Sequence, residues 1–144
     1  MNKITLNDVK LLDLNTITAS DGSLVPIESD IDVPFEIKRI FYVYGVDNQD
    51  DRGKHSHHQT KQVLICLNGS VEVLCDDGTN RNVYILDKPN KGLYIPELIW
   101  DEQRYLSKDS VLLVLSNTNY DINDYVEDYN EFKTLREEYN ENYK

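Results

Sequence analysis

RGKHSHHQTKQVLICLNG, residues 52–69, combines a histidine cluster with an apolar run and a glycine turn. The cluster holds all three histidines of the chain, His55, His57 and His58. Side chains alternate along a β-strand, so His55 and His57 should lie on the same face. Two imidazoles on one face can hold a metal ion or act as an acid–base pair near neutral pH. The segment therefore predicts a functional site on a strand.

Short runs rich in β-branched and aromatic residues surround this segment, separated by turn residues. They lie at 37–46, 62–67, 71–75, 82–86, 92–95 and 111–116. Strands do not alternate with helices in this pattern, which indicates an all-β sandwich or barrel. Asn68-Gly69 stands between two apolar runs, and such a dipeptide predicts a hairpin turn.

The pattern changes after Tyr120. Apolar side chains then recur close to helical spacing, at Tyr125, Tyr129, Phe132, Leu135 and Tyr139. This predicts a helix over 124–139, capped by Asp121 or Asn123 and laid over a sheet, a barrel mouth or a ligand. We expect one domain over 1–144, with a β-barrel at 1–120 and a helical segment of the same domain at 121–144.

Composition and charge exclude several function classes. The 144 residues include 15 Lys+Arg and 26 Asp+Glu, a net charge of −11. This argues against a nucleic-acid binder and a polybasic membrane-surface protein, which both need a basic surface. We find neither a bilayer-length apolar run nor the apolar core of a signal peptide. The sequence therefore predicts a cytoplasmic protein without membrane association, in which Cys66 and Cys75 are reduced.

The spacing around the histidines extends further along the chain. Residues 53–69 resemble the first sequence motif of the cupins, and 96–101 partly resemble the second. Cupin metal sites typically use three histidines and one glutamate, but Gln62 and Asp101 occupy two of these four positions here. A neutral Gln attracts a divalent cation weakly. We therefore expect no metal ion and no cofactor, with a site of His55, His57 and Asp101 as the alternative.

A larger set of segments resembles the dTDP-4-oxo-6-deoxyglucose 3,4-ketoisomerases. The segments are 21–28, 33–44, 52–57, 62–70, 92–96 with Trp100, Tyr120-Asp121 and Asp124-Tyr125. The resemblance implies a cupin jelly-roll β-barrel with a C-terminal α-helix. It also implies a metal-independent, strand-swapped homodimer that exchanges elements near residues 1–30. The chain departs from the family at Asp101, where relatives can have His.

The resemblance also implies an activity. Such an isomerase moves a keto group from C4 to C3 of a dTDP-linked 4-oxo-6-deoxyhexose, and the product is later aminated for surface glycans such as lipopolysaccharide or S-layer glycans. A base removes the C3 hydrogen, an enediol forms, and a proton returns at C4. His57 matches the base, with His55 as its partner or proton shuttle, and Tyr42 matches an active-site tyrosine of the family.

The pyrophosphate of such a substrate requires cations in an acidic protein, and Arg suits bidentate phosphate contacts. Arg52 stands beside the histidines, and Arg39 precedes Tyr42 by three positions. Strand alternation puts Arg39 and Tyr42 on opposite faces. We therefore expect Tyr42 inside the barrel and Arg39 at a subunit interface.

Three further residues are candidate substrate contacts. Gln62 replaces a metal ligand and should lie near the histidines, whereas Trp100 and Tyr94 should line either the substrate pocket or the core. The residues leave three alternative functions open. They are a dTDP-4-oxo-sugar 3,5-epimerase, a metal-dependent cupin oxygenase and a non-catalytic cupin that binds nucleotide sugars.

Overall fold

The structure is a computed structural model that describes residues 2–47 and 51–144. Within those residues the chain forms twelve β-strands and one α-helix. The strands are β1 (Lys10–Asp13), β2 (Ile17–Ala19), β3 (Gly22–Leu24), β4 (Arg39–Val43), β5 (Asp51–His57), β6 (Gln62–Asn68), β7 (Val71–Asp76), β8 (Arg81–Leu86), β9 (Lys91–Ile95), β10 (Trp100–Tyr105), β11 (Val111–Ser116) and β12 (Tyr125–Val126). Helix α1 spans Tyr129–Glu141. Six of these strands lie where the sequence predicted them.

Ten strands build two antiparallel sheets of five strands each. The first sheet has the order β1-β9-β6-β11-β4 and the second the order β12-β5-β10-β7-β8, while β2 and β3 pair only with each other. The two sheets face each other in a jelly-roll arrangement, since most neighbouring strands, apart from β7 and β8, are not consecutive in sequence and one core lies between the sheets. The predicted all-β fold with a C-terminal helix is confirmed.

The main core lies between the sheets. Leu64 and Cys66 of β6 pack in one buried cluster with Val73 and Cys75 of β7. β6 is buried on both faces, because residues between 14 and 37 cover the outer side of the first sheet. Helix α1 covers the outer side of the second sheet through Phe132.

The turn at Asn68-Gly69 differs from the predicted hairpin. β6 pairs with β9 and β11, whereas β7 pairs with β8 and β10. The turn therefore carries the chain from one sheet to the other. Gly69 has φ 77°, and a Cβ there would lie 2.5 Å from Ser110 Oγ. Asn68-Gly69 has the backbone freedom that a hairpin or a turn between sheets needs. Here β6 and β7 do not pair with each other, and their apolar side chains pack against each other across the core.

Helix α1 begins later than predicted. Tyr125 and Val126 pair with His57 and Ser56 of β5, so β-structure continues beyond residue 120. The helix starts after Asp128, whose side chain accepts a hydrogen bond from the Glu131 N–H at 2.9 Å. The predicted cap Asp121 instead caps the N-terminus of a short 3-10 helix, Ile122–Asp124.

A buried arginine ties α1 to both the N-terminal segment and the turn before β10. Arg136 is 2% exposed, and its guanidinium donates to the carbonyls of Ile4 (2.9 Å) and Leu98 (3.2 Å). The Tyr139 hydroxyl accepts a hydrogen bond from the Ile4 N–H at 2.8 Å. Leu98 in turn donates its N–H to the carbonyl of His57 at 2.9 Å. The helix thereby fixes the backbone next to a histidine.

Candidate active site

His55 and His57 lie side by side on β5, as the alternation of the strand predicts. Their ring centroids are 4.8 Å apart in an edge-on arrangement. The ring of Tyr125 on the neighbouring strand β12 contacts both, with centroids 4.5 Å from His57 and 5.3 Å from His55. His58 points elsewhere and is exposed. The structure therefore brings together two of the three histidines and a tyrosine.

His57 is paired with a carboxylate that sequence reasoning did not assign to the site. Its Nδ1 lies 3.0 Å from Asp124 Oδ2. Asp124 also accepts hydrogen bonds from the Gln59 N–H (2.8 Å) and the Thr60 hydroxyl. These donors hold the pKa of Asp124 below its usual value despite its partial burial. A charged Asp124 keeps the proton of His57 on Nδ1 and leaves Nε2 as the basic nitrogen.

Both imidazoles are held in their neutral form. Burial lowers the pKa of His55 to about 4, with a further contribution from His57. Burial also lowers the pKa of His57, although Asp124 opposes this effect. The Nε2 atoms of both rings are buried and have no hydrogen-bond partner among the described residues. Two neutral imidazoles with free nitrogens can accept and return protons near neutral pH.

A cavity of about 260 Å³ opens beside the histidines. Its lining comes from β4, β5, β6, β10 and β12, and consists of Phe41, Val43, Arg52, Gly53, His55, Gln62, Gln103 and Tyr125. Arg52 and Gln62 therefore lie where the sequence predicted them. His55 borders the cavity, whereas His57 lies one layer behind it, against His55 and Tyr125.

Gly53 allows this cavity wall to form. Its φ is 62°, and a Cβ at this position would lie 2.8 Å from the Nε2 of Gln103. The register between β5 and β10 shifts at the same place, between Asp101 and Gln103. A glycine is therefore required both by the backbone conformation and by the close approach of β10.

Arg39 and Tyr42 lie on opposite faces of β4, but not on the faces expected for them. Phe41 and Val43 line the cavity, whereas Tyr42 points outward and is 63% exposed. The structure therefore does not bring Tyr42 to the histidines of its own chain. Arg39 shares the inner face: its guanidinium lies 5.4 Å from the Phe41 ring and contributes to the lowered pKa of His57.

Trp100 and Tyr94 also lie away from this cavity. Trp100 faces the outer side of β10 and packs under α1, with its ring centroid 5.7 Å from that of Phe132. Tyr94 faces the outer side of the first sheet, packs near Phe35 and lines a separate cavity. Trp100 is therefore a core residue, whereas Tyr94 borders a cavity other than the one beside the histidines.

The donor set does not fit a resident metal ion. Residues 2–47 and 51–144 contain no group of three or more His, Cys, Asp or Glu side chains that could hold a metal ion. Nδ1 of His57 is engaged by Asp124, and Gln62 is neutral. These side chains therefore give no reason to assign a reaction step to a metal ion.

Comparison with known proteins places this arrangement in a family. Residues 7–137 match the family described as FdtA: WxcM-like, C-terminal. The chain belongs to this family. A TDP-4-oxo-6-deoxy-alpha-D-glucose-3,4-oxoisomerase from Aneurinibacillus thermoaerophilus is 41% identical over 124 residues, which is 86% of this chain and 89% of the relative.

Solved structures of 3,4-ketoisomerases agree with this assignment. The 3,4-ketoisomerase QdtA from Thermoanaerobacterium thermosaccharolyticum was solved as a variant in complex with TDP-4-keto-6-deoxyglucose. It is 39% identical with a TM-score of 0.89, over 93% of this chain and 97% of QdtA. WlaRA, a TDP-fucose-3,4-ketoisomerase from Campylobacter jejuni, is 41% identical with a TM-score of 0.85, over 90% of this chain and 96% of WlaRA.

These relatives are isomerases, and the predicted ketoisomerase family is confirmed. The dTDP-4-dehydrorhamnose 3,5-epimerase of Bacillus anthracis is a distant match, with a TM-score of 0.74 at 15% identity over 86% of this chain and 81% of the epimerase. That likeness shows a common cupin-like fold alone. None of the helices in the described part of the chain is long and apolar enough to cross a membrane.

Proposed function

We propose that this chain converts dTDP-4-oxo-6-deoxyglucose into a dTDP-3-oxo-6-deoxyhexose. The observation that carries the proposal is the His57–Asp124 pair, with Nδ1 and Oδ2 3.0 Å apart, next to a cavity bordered by His55. This site belongs to a chain that is 41% identical to a TDP-4-oxo-6-deoxyglucose 3,4-oxoisomerase.

The reaction needs a base for carbon and a donor for oxygen. The C4 carbonyl acidifies the C3 hydrogen. His57 Nε2 removes this hydrogen once the bound sugar reaches past the ring of His55, because Asp124 holds the other nitrogen protonated. O4 gains a proton, which gives the 3,4-enediol. His57 then returns a proton to C4 while O3 loses its proton and becomes the new carbonyl. The step is an isomerisation in which atoms and charge balance without an added reagent.

The cavity accommodates only the reacting part of the substrate. Its volume of about 260 Å³ lies below the roughly 300–1,000 Å³ of typical ligand sites. We propose that the sugar ring binds in this cavity beside Gln62. The pyrophosphate then binds Arg52 and Arg39 at the edge of the cavity. Arginine pairs with phosphate oxygens bidentately, which supplies a local positive charge in a protein of net charge −11.

Incubation with dTDP-4-oxo-6-deoxyglucose in heavy water tests this function. The expected product is the 3-oxo isomer with deuterium at C4, observed by NMR, because protonation at C4 follows loss of the C3 hydrogen. Deuterium at C5 would instead identify a 3,5-epimerase. An unchanged substrate spectrum, with dTDP binding intact by calorimetry, would contradict the proposal and favour a binding protein.

The proposal includes a homodimer that uses the outer face of β4. This strand is at the edge of the first sheet, and Ile40, Tyr42 and Tyr44 on its outer side are exposed. The β2–β3 hairpin is exposed along its whole length, including Ile17 and Leu24. An exposed apolar row on an edge strand is a typical association surface. We propose that the hairpin of one chain covers this row on its partner.

Tyr42→Glu should therefore convert the dimer into a monomer, because it places a charge within the apolar row. Light scattering after size-exclusion chromatography measures the change. Ile85→Glu on β8, the edge strand of the second sheet, is the matched control and should remain dimeric. Dimers of both variants, or a wild-type monomer, would contradict this interface.

Tyr42→Phe should keep the wild-type kcat, because Tyr42 does not reach the histidines of its own chain. A large loss of kcat would show that the hydroxyl of Tyr42 takes part in catalysis.

Location and metabolic role complete the proposal. We place the enzyme in the cytoplasm, since Cys66 and Cys75 are free thiols, as a reducing compartment favours. Its 3-oxo product suits amination at C3, which yields 3-amino-3,6-dideoxyhexoses for surface glycans.

A further inference from the structure

Asp101 is a buried acid next to the histidines. It lies on the inner face of β10, is 1% exposed, and pairs in register with His55 on β5 and Cys75 on β7. Gln103 Nε2 donates to its Oδ2 at 3.3 Å, and the Tyr105 hydroxyl holds that amide by donating to its Oε1 at 3.0 Å. Among the residues that the structure describes, the carboxyl group therefore has one weak donor.

The other two buried acids of the described chain are compensated differently. Asp76 forms a salt bridge with Arg81 at 2.8 Å, and Asp77 accepts hydrogen bonds from backbone N–H groups. Asp101 has neither a cation nor several donors, and burial raises its pKa to about 8. Near neutral pH its carboxyl is therefore protonated, since an isolated buried charge is costly.

One carboxyl oxygen of Asp101 faces His55. Oδ1 of Asp101 lies 4.0 Å from Nε2 of His55, and this nitrogen is buried without a hydrogen-bond partner in the described part of the chain. The exposed part of the His55 ring lines the cavity. A shift of about 1 Å closes this distance to hydrogen-bond length, and catalytic pairs often tighten in this way when substrate binds.

We propose that protonated Asp101 is a positioning residue that supplies His55 with the proton for substrate atom O4 and recovers it from O3. This proposal rests on the ketoisomerase function. When His57 removes the C3 hydrogen, His55 gives a proton to O4 and takes one from Asp101. When C4 is protonated, O3–H returns a proton through His55 to Asp101. The O–H bond formed at O4 balances the one broken at O3, so Asp101 ends each turnover protonated.

The two His–Asp pairs thus have opposite roles. Asp124 is held charged by three donors and fixes the tautomer of His57, whereas Asp101 is neutral and keeps its proton available to His55. Other titratable groups also surround Asp101. Cys75 approaches from β7, and Glu102 and Tyr105 lie on its own strand, where the charge of Glu102 adds to the rise in the pKa of Asp101.

Asp101→Asn tests the proposal with little structural change. The amide can still accept from Gln103 and donate to His55, and only the dissociable proton is lost. We expect kcat to fall about 100-fold, as for loss of a positioned proton donor, with KM and dTDP binding nearly unchanged. Wild-type kcat should decline as pH rises through about 8, and this alkaline decline should disappear in the residual activity of the variant.

Asp76→Asn is the matched control, because it removes a buried carboxyl that does not contact the histidines, and it should keep the alkaline decline. An infrared titration of the wild type should show a protonated carboxyl that ionises near pH 8, and this readout does not depend on whether the variant folds. Wild-type kcat in Asp101→Asn, or a carboxyl already ionised at neutral pH, would overturn the proposal. A wild type that makes no 3-oxo sugar would instead overturn the function itself.

Discussion

His57→Asn should lower kcat by about 10²–10⁴-fold, the range expected for loss of a positioned base. The amide can still meet Asp124, so the fold and dTDP affinity should stay close to wild type. The wild-type rate should fall as pH decreases through the lowered pKa of His57, because protonated imidazole cannot accept the C3 hydrogen. Steady-state kinetics with NMR detection of C3–H exchange measures both effects.

His58→Asn is the control for this experiment, since His58 is exposed and lies outside the cavity lining. Its kinetics should match the wild type. Comparison with His55→Asn then assigns the base. If His57→Asn retained most of the wild-type kcat while His55→Asn lost C3–H exchange, the base would be His55, which borders the cavity directly.

Asp124→Asn should cause a similar loss, about 10²–10⁴-fold in kcat, through the tautomer of His57. The new amide can accept from the Gln59 N–H, but its NH₂ group then faces Nδ1. The proton of the imidazole moves to Nε2, and the basic nitrogen is lost. The equivalent change in a Ser-His-Asp triad costs about 10⁴-fold for the same reason. Nitrogen-15 NMR of His57 should report the changed tautomer.

Asp121→Asn is the matched control, because it makes the same charge change three residues away and Asn is an equally good cap. It should leave kcat unchanged. The double variant His57→Asn/Asp124→Asn should be about as slow as either single variant, since both act on one nitrogen. Additive losses would show that Asp124 contributes independently of His57.

The sequence predicted the features that depend on local pattern. β6 and β11 follow apolar runs, and the shared face of His55 and His57 follows from strand alternation. The local pattern could not predict that Asp124 belongs to the site, because Asp124 lies 67 positions from His57 in sequence. The two residues meet because β12, which follows Asp124, pairs with β5. Tyr125 was misplaced in the helix, since its spacing from Tyr129 and Phe132 fits a helical face as well as a short strand.

The orientation of β4 shows a second limit. The alternation of side chains along a strand correctly placed Arg39 and Tyr42 on opposite faces of β4. It could not show which face is internal, because both faces carry large apolar side chains. Phe41 and Val43 face the cavity, and Ile40 and Tyr42 face outward. Local sequence cannot decide which face is internal, because the outward face of an interface strand resembles a core face.

The contacts of Arg136 also determine when the site can assemble. The guanidinium joins Ile4 and Leu98, which lie 132 and 38 positions before it, so the N-terminal segment cannot make this contact until α1 has been synthesised. Topologies dominated by such distant contacts fold slowly, in about milliseconds to seconds. Asp124 follows His57 by 67 positions, so His57 is synthesised well before its partner. A chain stalled before residue 124 would carry both histidines with neither the charged acid nor the helix that positions them.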